Sequence, residues 1–316
     1  MEPKNVPSGR REVVFSSTGD RTRATQAHSV GKGSSIAAWA GGIAESLFAT
    51  LFPADCRICG EPLIRISRLP VCDTCLDAIH PISGGLCAIC GERLVSPHAF
   101  RDPQGEARCG LCRRLEQPYA RAVAYGSYET GLRELIHMLK YQQVRPAANV
   151  LGRMLAEVIA ELEPGWGDAQ LFVVPVPLFS RKLRQRGFNQ AELIARAALK
   201  LCPSRERHAL CCDVLERTRE TQSQIGLTRH QRRENLRGAF RVKDREKVSG
   251  REILLVDDVF TTGTTAFECA RVLRRAGAAR VWVATVARTL KHEVQAVSFK
   301  PQESSASTTA TMAAHG

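Results

Sequence analysis

Residues 251–265 read Arg-Glu-Ile-Leu-Leu-Val-Asp-Asp-Val-Phe-Thr-Thr-Gly-Thr-Thr, and this stretch decides the fold. Residues 253–256 form an apolar run of strand length, the pattern of a strand buried on both faces. Asp257 and Asp258 follow at its carboxyl end, where open α/β sheets gather their ligand groups. A hydroxyl-rich turn with Gly263 then opens a helix over 265–276, which Gly277 stops. Backbone N–H groups at a helix N-terminus attract anions. Thr261, Thr262, Gly263, Thr264 and Thr265 are therefore candidates to cradle a monophosphate. The two adjacent carboxylates suit ribose hydroxyls, with Mg2+ bridging there. The stretch lacks the G-x4-G-K-[ST] of a P-loop and the glycine spacing of a dinucleotide fingerprint. A buried strand with an ordinary polar turn is the bland alternative, and it leaves the order of strand, acid pair and hydroxyl loop unexplained.

Working outward, strands at 122–125, 171–176 and 281–286 alternate with helices at 131–140, 149–162 and 191–201. That alternation predicts a mostly parallel sheet with flanking helices over 117–290. The region 54–116 differs. It holds four C-x2-C pairs: Cys56/Cys59, Cys72/Cys75, Cys87/Cys90 and Cys109/Cys112. Few apolar residues accompany them, so this segment depends on metal to fold. Four thiolates make a tetrahedral zinc site, and four pairs supply two such sites. Sequential and interleaved pairings both remain open. An iron–sulfur cluster is the main rival, and a redox C-x2-C needs only one pair. Cys-Arg-Ile-Cys-Gly-Glu at 56–61 is echoed by Cys-Ala-Ile-Cys-Gly-Glu at 87–92, the mark of two related metal knuckles. Gly60 and Gly91 free the backbone to turn behind each pair.

The ends carry less information. Residues 1–34 read as a disordered basic arm and 291–316 as a disordered tail. Between them, 35–53 reads as an amphipathic helix that Pro53 ends. Its apolar stretch carries Glu45 and is too short to span a membrane. No secretory signal is visible, so the expectation is a cytoplasmic protein, where structural disulfides are rare. The 316 residues carry a formal net charge of +13, which favours polyanionic partners.

The motif at 251–265 resembles the signature of type I phosphoribosyltransferases, which bind phosphoribosyl diphosphate (PRPP). The wider pattern resembles the ComF family, which includes ComFC and GntX proteins. It runs through Leu51-Phe52-Pro53, the cysteine pairs, Leu139-Lys140-Tyr141, Val174-Pro175-Val176-Pro177-Leu178, Arg186-Gly187-Phe188-Asn189-Gln190 and the block 219–240. The resemblance implies a type I phosphoribosyltransferase fold preceded by a double zinc ribbon. It implies a pyrophosphate loop at Arg186-Gly187-Phe188, with Lys182 and Arg186 neutralising the diphosphate and Gly187 letting the backbone approach. It also implies a lid over 219–240, carrying Arg229, Arg232 and Asn235 on one helical face. Lys140-Tyr141 would border the site. With Mg2+ present, Arg229 and Arg232 would stabilise the leaving diphosphate, and Asp258 is the candidate general base. The family further implies a link to natural transformation, with single-stranded DNA and DNA-uptake proteins as partners. A non-catalytic DNA-binding protein using the zinc module and basic surface is the competing reading. Its low aromatic content, 6%, favours backbone contacts over base stacking.

Overall fold

The computed structural model describes residues 55–63, 67–94, 101–102, 105–221 and 229–290. The expected arm at 1–34, helix at 35–53 and tail at 291–316 lie outside the described residues.

Five strands form one parallel sheet: β1 (Arg121–Ser127), β2 (Leu171–Pro175), β3 (His208–Leu210), β6 (Glu252–Phe260) and β7 (Arg280–Arg288). Their spatial order is β1-β7-β6-β2-β3. Val, Ile, Leu and Ala fill β6 and β7 because both faces are covered. On one face lie helices α3 (Thr130–Tyr141), α4 (Ala147–Leu162) and α6 (Gln190–Leu199), whose leucines and isoleucines pack on Leu254, Val256 and Ala284. On the other lies α8 (Thr264–Arg275), with Cys269, Ala270 and Leu273 against Ile253, Leu255 and Val283. An antiparallel pair, β4 (Leu215–Arg217) and β5 (Phe240–Val242), joins this second face and brackets helix α7 (Arg229–Leu236).

The cysteine-rich segment is docked on the sheet. Its short helices are α1 (Asp73–Asp77) and α2 (Gly110–Arg114). Cys56, Leu69 and Val71 join the first apolar cluster, while Cys87, Cys90, Leu94 and Cys112 join the second. The free side of β1 is covered too: Ile82 N–H donates to Tyr125 O at 2.7 Å, and Ala122 N–H to Ile89 O at 2.7 Å. An edge strand is thereby shielded from pairing with other chains. Among the described residues, no helix is long and apolar enough to cross a membrane.

Three differences from the expected elements bear on the site. Strand β6 runs on through Asp257 and Asp258 to Phe260, because β7 continues to pair with it as far as Phe260 opposite Arg288. The acids thus lie inside β6, just past the end of its other neighbour, since β2 stops at Pro175 opposite Val256. The segment after β2 contains helix α5 (Ser180–Arg186), which six polar and basic residues and one leucine do not announce. The short strands β3, β4 and β5, three residues each, were also too brief for any period to be read.

Candidate functional site

The chain leaves β2 toward β3 and leaves β6 toward β7, in opposite directions along the sheet. A crevice therefore opens between the carboxyl ends of β2 and β6, the switch point at which such sheets bind ligands.

One wall of the crevice is β6 and its loop. Asp258 is 4% exposed and forms an ion pair with Lys140 from the last turn of α3. Burial pulls the Lys140 ammonium down, but Asp258 and Asp257 outweigh it and leave its pKa raised. Asp257 points to the opposite face of the strand, as strand alternation requires. Burial, then the neighbouring Asp258 charge, push its carboxyl well above the usual range. Backbone N–H groups hold both side chains in place: Asp257 Oδ1 accepts from Asp258 N at 2.9 Å, and Asp258 Oδ1 from Val259 N at 3.0 Å.

The hydroxyl loop comes next. Gly263 adopts φ 75°, and a Cβ there would lie 2.6 Å from the Phe260 ring, so both backbone and space require glycine. It turns the chain into α8, which begins at Thr264. Thr262 and Thr264 share a hydroxyl–hydroxyl hydrogen bond of 2.8 Å. The expected lid meets this loop: Arg232 Nη1 donates to Thr261 Oγ1 at 3.3 Å. Helix α7 spans Arg229, Arg232 and Asn235, and Arg219 ties its end by donating to the Asn235 and Arg237 carbonyls at 2.9 and 2.8 Å. The side chain of Arg229 lies outside the described residues. Leu236, Ala239 and Phe240 root the segment in the second core.

The other wall follows β2. Asn189 Nδ2 donates to Val176 O at 3.0 Å while its Oδ1 caps α6, so the intervening α5 is clamped at its base. Phe188 is buried in the first core, and Arg186 donates to Gln190 Oε1 at 2.5 Å and stacks over Tyr141. Gly187 ends α5 at φ 78°, and a Cβ there would meet nothing. Its left-handed backbone makes this glycine a helix cap. The Lys182 pKa is lowered, by burial first and then by Arg217, Arg186 and Lys140. Lys182, Arg217, Arg186 and Lys140 thus lie close enough to repel one another, and Lys140 also pairs with Asp258. Arg217, at the end of β4, carried no signal in the sequence. Burial lowers its pKa, Asp257 opposes that, and its guanidinium hydrogen-bonds the buried Thr221 and lies over Phe240.

The cysteines form two groups in sequential pairing, Cys56/Cys59/Cys72/Cys75 and Cys87/Cys90/Cys109/Cys112. Within each group the sulfurs all lie within 4.8 Å of one another. Cys59 and Cys72 Sγ are 3.7 Å apart, as are Cys90 and Cys109 Sγ. A zinc–sulfur length near 2.3 Å sets a tetrahedral edge of about 3.8 Å, so the donors fit zinc. The sequence echo is also a structural one. Cys56 N–H bonds Glu61 O and Gly60 N–H bonds Cys56 O, each at 2.8 Å, and Cys87, Glu92 and Gly91 repeat both bonds at 2.8 Å. Gly60 and Gly91 take φ 80° and 67°, as the turns demand.

Residues 47–113 match the double zinc ribbon domain, and residues 188–303 match the phosphoribosyl transferase domain. The chain is 34% identical over 242 residues to the DNA utilization protein YhgH of Escherichia coli O157:H7, covering 75% of this chain and 98% of that one. It is 29% identical to Competence protein F of Haemophilus influenzae, covering 69% and 96%, and 28% identical to Competence protein ComFC of Bacillus subtilis, covering 66% and 80%. The sheet has the phosphoribosyltransferase fold, and the cysteine groups are those of a double zinc ribbon.

Proposed function

This chain belongs to the ComF family, and on that premise we propose that it binds PRPP in the crevice between β2 and β6 as part of DNA use. One juxtaposition supports the reading: the acid pair of β6 and the hydroxyl loop after it adjoin a set of cations, with Lys140 paired to Asp258, Arg217 within electrostatic reach of Asp257, and Lys182 repelled by Arg217, Arg186 and Lys140. The loop Thr261–Thr265 would take the 5′-phosphate, Asp257 and Asp258 the ribose hydroxyls, and Lys182, Arg186 and Arg217 the diphosphate. Arg232 joins lid to loop and would exclude water when the site is filled. The carboxylate oxygens suit Mg2+, which would arrive with the diphosphate and shield its charge, because Lys140 already neutralises part of the acid pair. In a transfer, the bond from the anomeric carbon to the diphosphate breaks and a bond to the acceptor forms, with diphosphate leaving as the anion. These cations would stabilise the leaving charge. Binding without transfer would make the site a sensor of the same ligand.

Titration calorimetry with Mg-PRPP tests the reading. Binding to the wild type that is lost in Asp257→Asn/Asp258→Asn is expected. No binding to folded, zinc-loaded wild type would sink it. The names of the relatives and the charge of +13 favour a second role, contact with single-stranded DNA through the basic surface and zinc module. Salt-sensitive strand binding that survives the double substitution would support it.

A further inference from the structure

The two cysteine knuckles repeat each other in sequence and in backbone hydrogen bonds, but they meet the rest of the protein differently. A Cβ at Gly60 would meet nothing within 4 Å, and Cys59 beside it is exposed. A Cβ at Gly91 would lie 3.1 Å from Ala122 O of β1 and 3.1 Å from Arg288 Nη1 of β7. The first knuckle faces open space at its glycine, and the second is pressed onto the sheet.

Arg288, the last residue of β7, is 3% exposed. Its Nη1 donates to the carbonyl of Cys90, a member of the second cysteine group, and its Nη2 pairs with Glu92 Oε2 at 3.3 Å. Its guanidinium carbon lies 4.9 Å from the centroid of the Phe260 ring, and the two residues are partners in the β6–β7 register. Phe260 in turn fills the space at Gly263, where a Cβ would lie 2.6 Å from the ring. Direct contacts therefore run from Cys90 through Arg288 and Phe260 to Gly263, from the zinc knuckle to the hydroxyl loop. Cys90, Arg288 and Phe260 are all buried, and a close-packed interior passes displacement on rather than absorbing it. Among the described residues, Arg288 Nε and Glu92 Oε1 are buried without a hydrogen-bond partner. A buried ion pair is a weak source of net stability, and an incompletely satisfied one is weaker still. What the arginine fork supplies is geometry. Its edge grips the carbonyl and the carboxylate of the knuckle, and its face lies on the ring.

We infer that Arg288 is a positioning residue for the hydroxyl loop, and that through it the second zinc ribbon sets the affinity of the phosphoribosyl site. The inference rests on the proposed PRPP reading for its ligand, while the chain of contacts stands apart from that reading. Tetrahedral ligation fixes Cys90 and with it the carbonyl that holds Arg288. Arg288 holds Phe260, and Phe260 holds the turn at Gly263. Such coupling is reciprocal: ligand on the loop tightens the second zinc by the factor by which that zinc tightens the ligand. The first zinc, whose knuckle faces open space at Gly60, does not take part.

Hydrogen exchange of residues 258–265, read by mass spectrometry on the full chain, provides the first test. It compares wild type with Arg288→Lys, which keeps the charge but loses the fork, and with Arg280→Lys at the other end of β7. In Arg288→Lys, with both zincs bound, the loop exchanges at least about fivefold faster and Mg-PRPP binds at least about fivefold more weakly. Arg280→Lys stays within about twofold of wild type in both. The second test needs no variant: competition with a zinc-selective chelator, with and without Mg-PRPP. Mg-PRPP tightens one of the two zincs by about the same factor and leaves the other unchanged. Unchanged loop exchange in folded Arg288→Lys overturns the inference. So do two unchanged zincs in wild type saturated with Mg-PRPP, which decides the matter if Arg288→Lys fails to fold. Faster loop exchange in Arg288→Lys, with no Mg-PRPP binding to wild type, overturns the PRPP reading alone. Unchanged loop exchange together with no Mg-PRPP binding overturns both.

Discussion

Replacing Lys140 with methionine keeps the side-chain length and removes the charge that faces Asp258. Asp258 is 4% exposed and the Lys140 side chain 17%, so the pair has little water to screen it. Removing one partner of a buried pair costs about 3–5 kcal/mol, since the remaining charge stays buried and unpaired. For a protein of this size that lowers Tm by about 6–20 °C. The pH dependence follows from the raised Lys140 pKa. A cation whose pKa is raised by folding gives its full stabilisation below the unfolded lysine value, about 10.4. That stabilisation fades only as pH rises through the folded value, so the variant is weaker throughout the neutral range. Asp258→Asn leaves Lys140 buried and unpaired and also destabilises. The double variant Lys140→Met/Asp258→Asn removes both charges and recovers much of the loss, giving a coupling of at least about 1 kcal/mol in a double-mutant cycle. Urea denaturation of the four proteins at pH 7 measures it. A Lys140→Met effect under about 1 kcal/mol, or strictly additive losses, would refute the buried-pair reasoning.

Other substitutions separate stability from binding. Asp257→Asn should stabilise the protein at neutral pH, because folding raises the wild-type carboxyl pKa. For such an acid, stability is intact below the unfolded value of about 3.9 and is lost as pH rises through the folded value. The gap in urea midpoint between variant and wild type should therefore widen from pH 4 upward; a constant gap would contradict this. Lys182→Met should weaken Mg-PRPP binding about tenfold, or 1.4 kcal/mol, without lowering Tm, because its charge is already repelled in the folded state. Gly263→Ala should cost about 1–3 kcal/mol by chemical denaturation and weaken ligand binding, through its positive φ and the Phe260 contact. Cys87→Ser should reduce bound zinc from two ions to one per chain, and should speed hydrogen exchange in β6, since Cys87 shares a core with Leu255.

Much of the fold was legible because β6, β7, α4 and α8 are long and strongly patterned. The acid pair and hydroxyl loop were legible because they are contiguous in the chain. The cysteine pairs were also plain, but their partners were not, since spacing alone permits two pairings. Arg217 was hidden because its importance comes from burial beside Phe240 and proximity to Asp257, neither of which is local in sequence. Lys140 was known only as part of a family pattern, and the fold adds its partner, 118 positions away. Helix α5 was masked because its side chains are mostly exposed, so no apolar stripe marks it. Gly187 shows a motif residue with a local reason: it caps a helix.

The most direct test of the central claim is a crystal structure of the protein soaked with Mg-PRPP. The account predicts the 5′-phosphate on Thr261–Thr265, the ribose hydroxyls at Asp257 and Asp258, and the diphosphate among Lys182, Arg186 and Arg217. Ligand density elsewhere on the basic surface, or an empty crevice at saturating ligand, would contradict it.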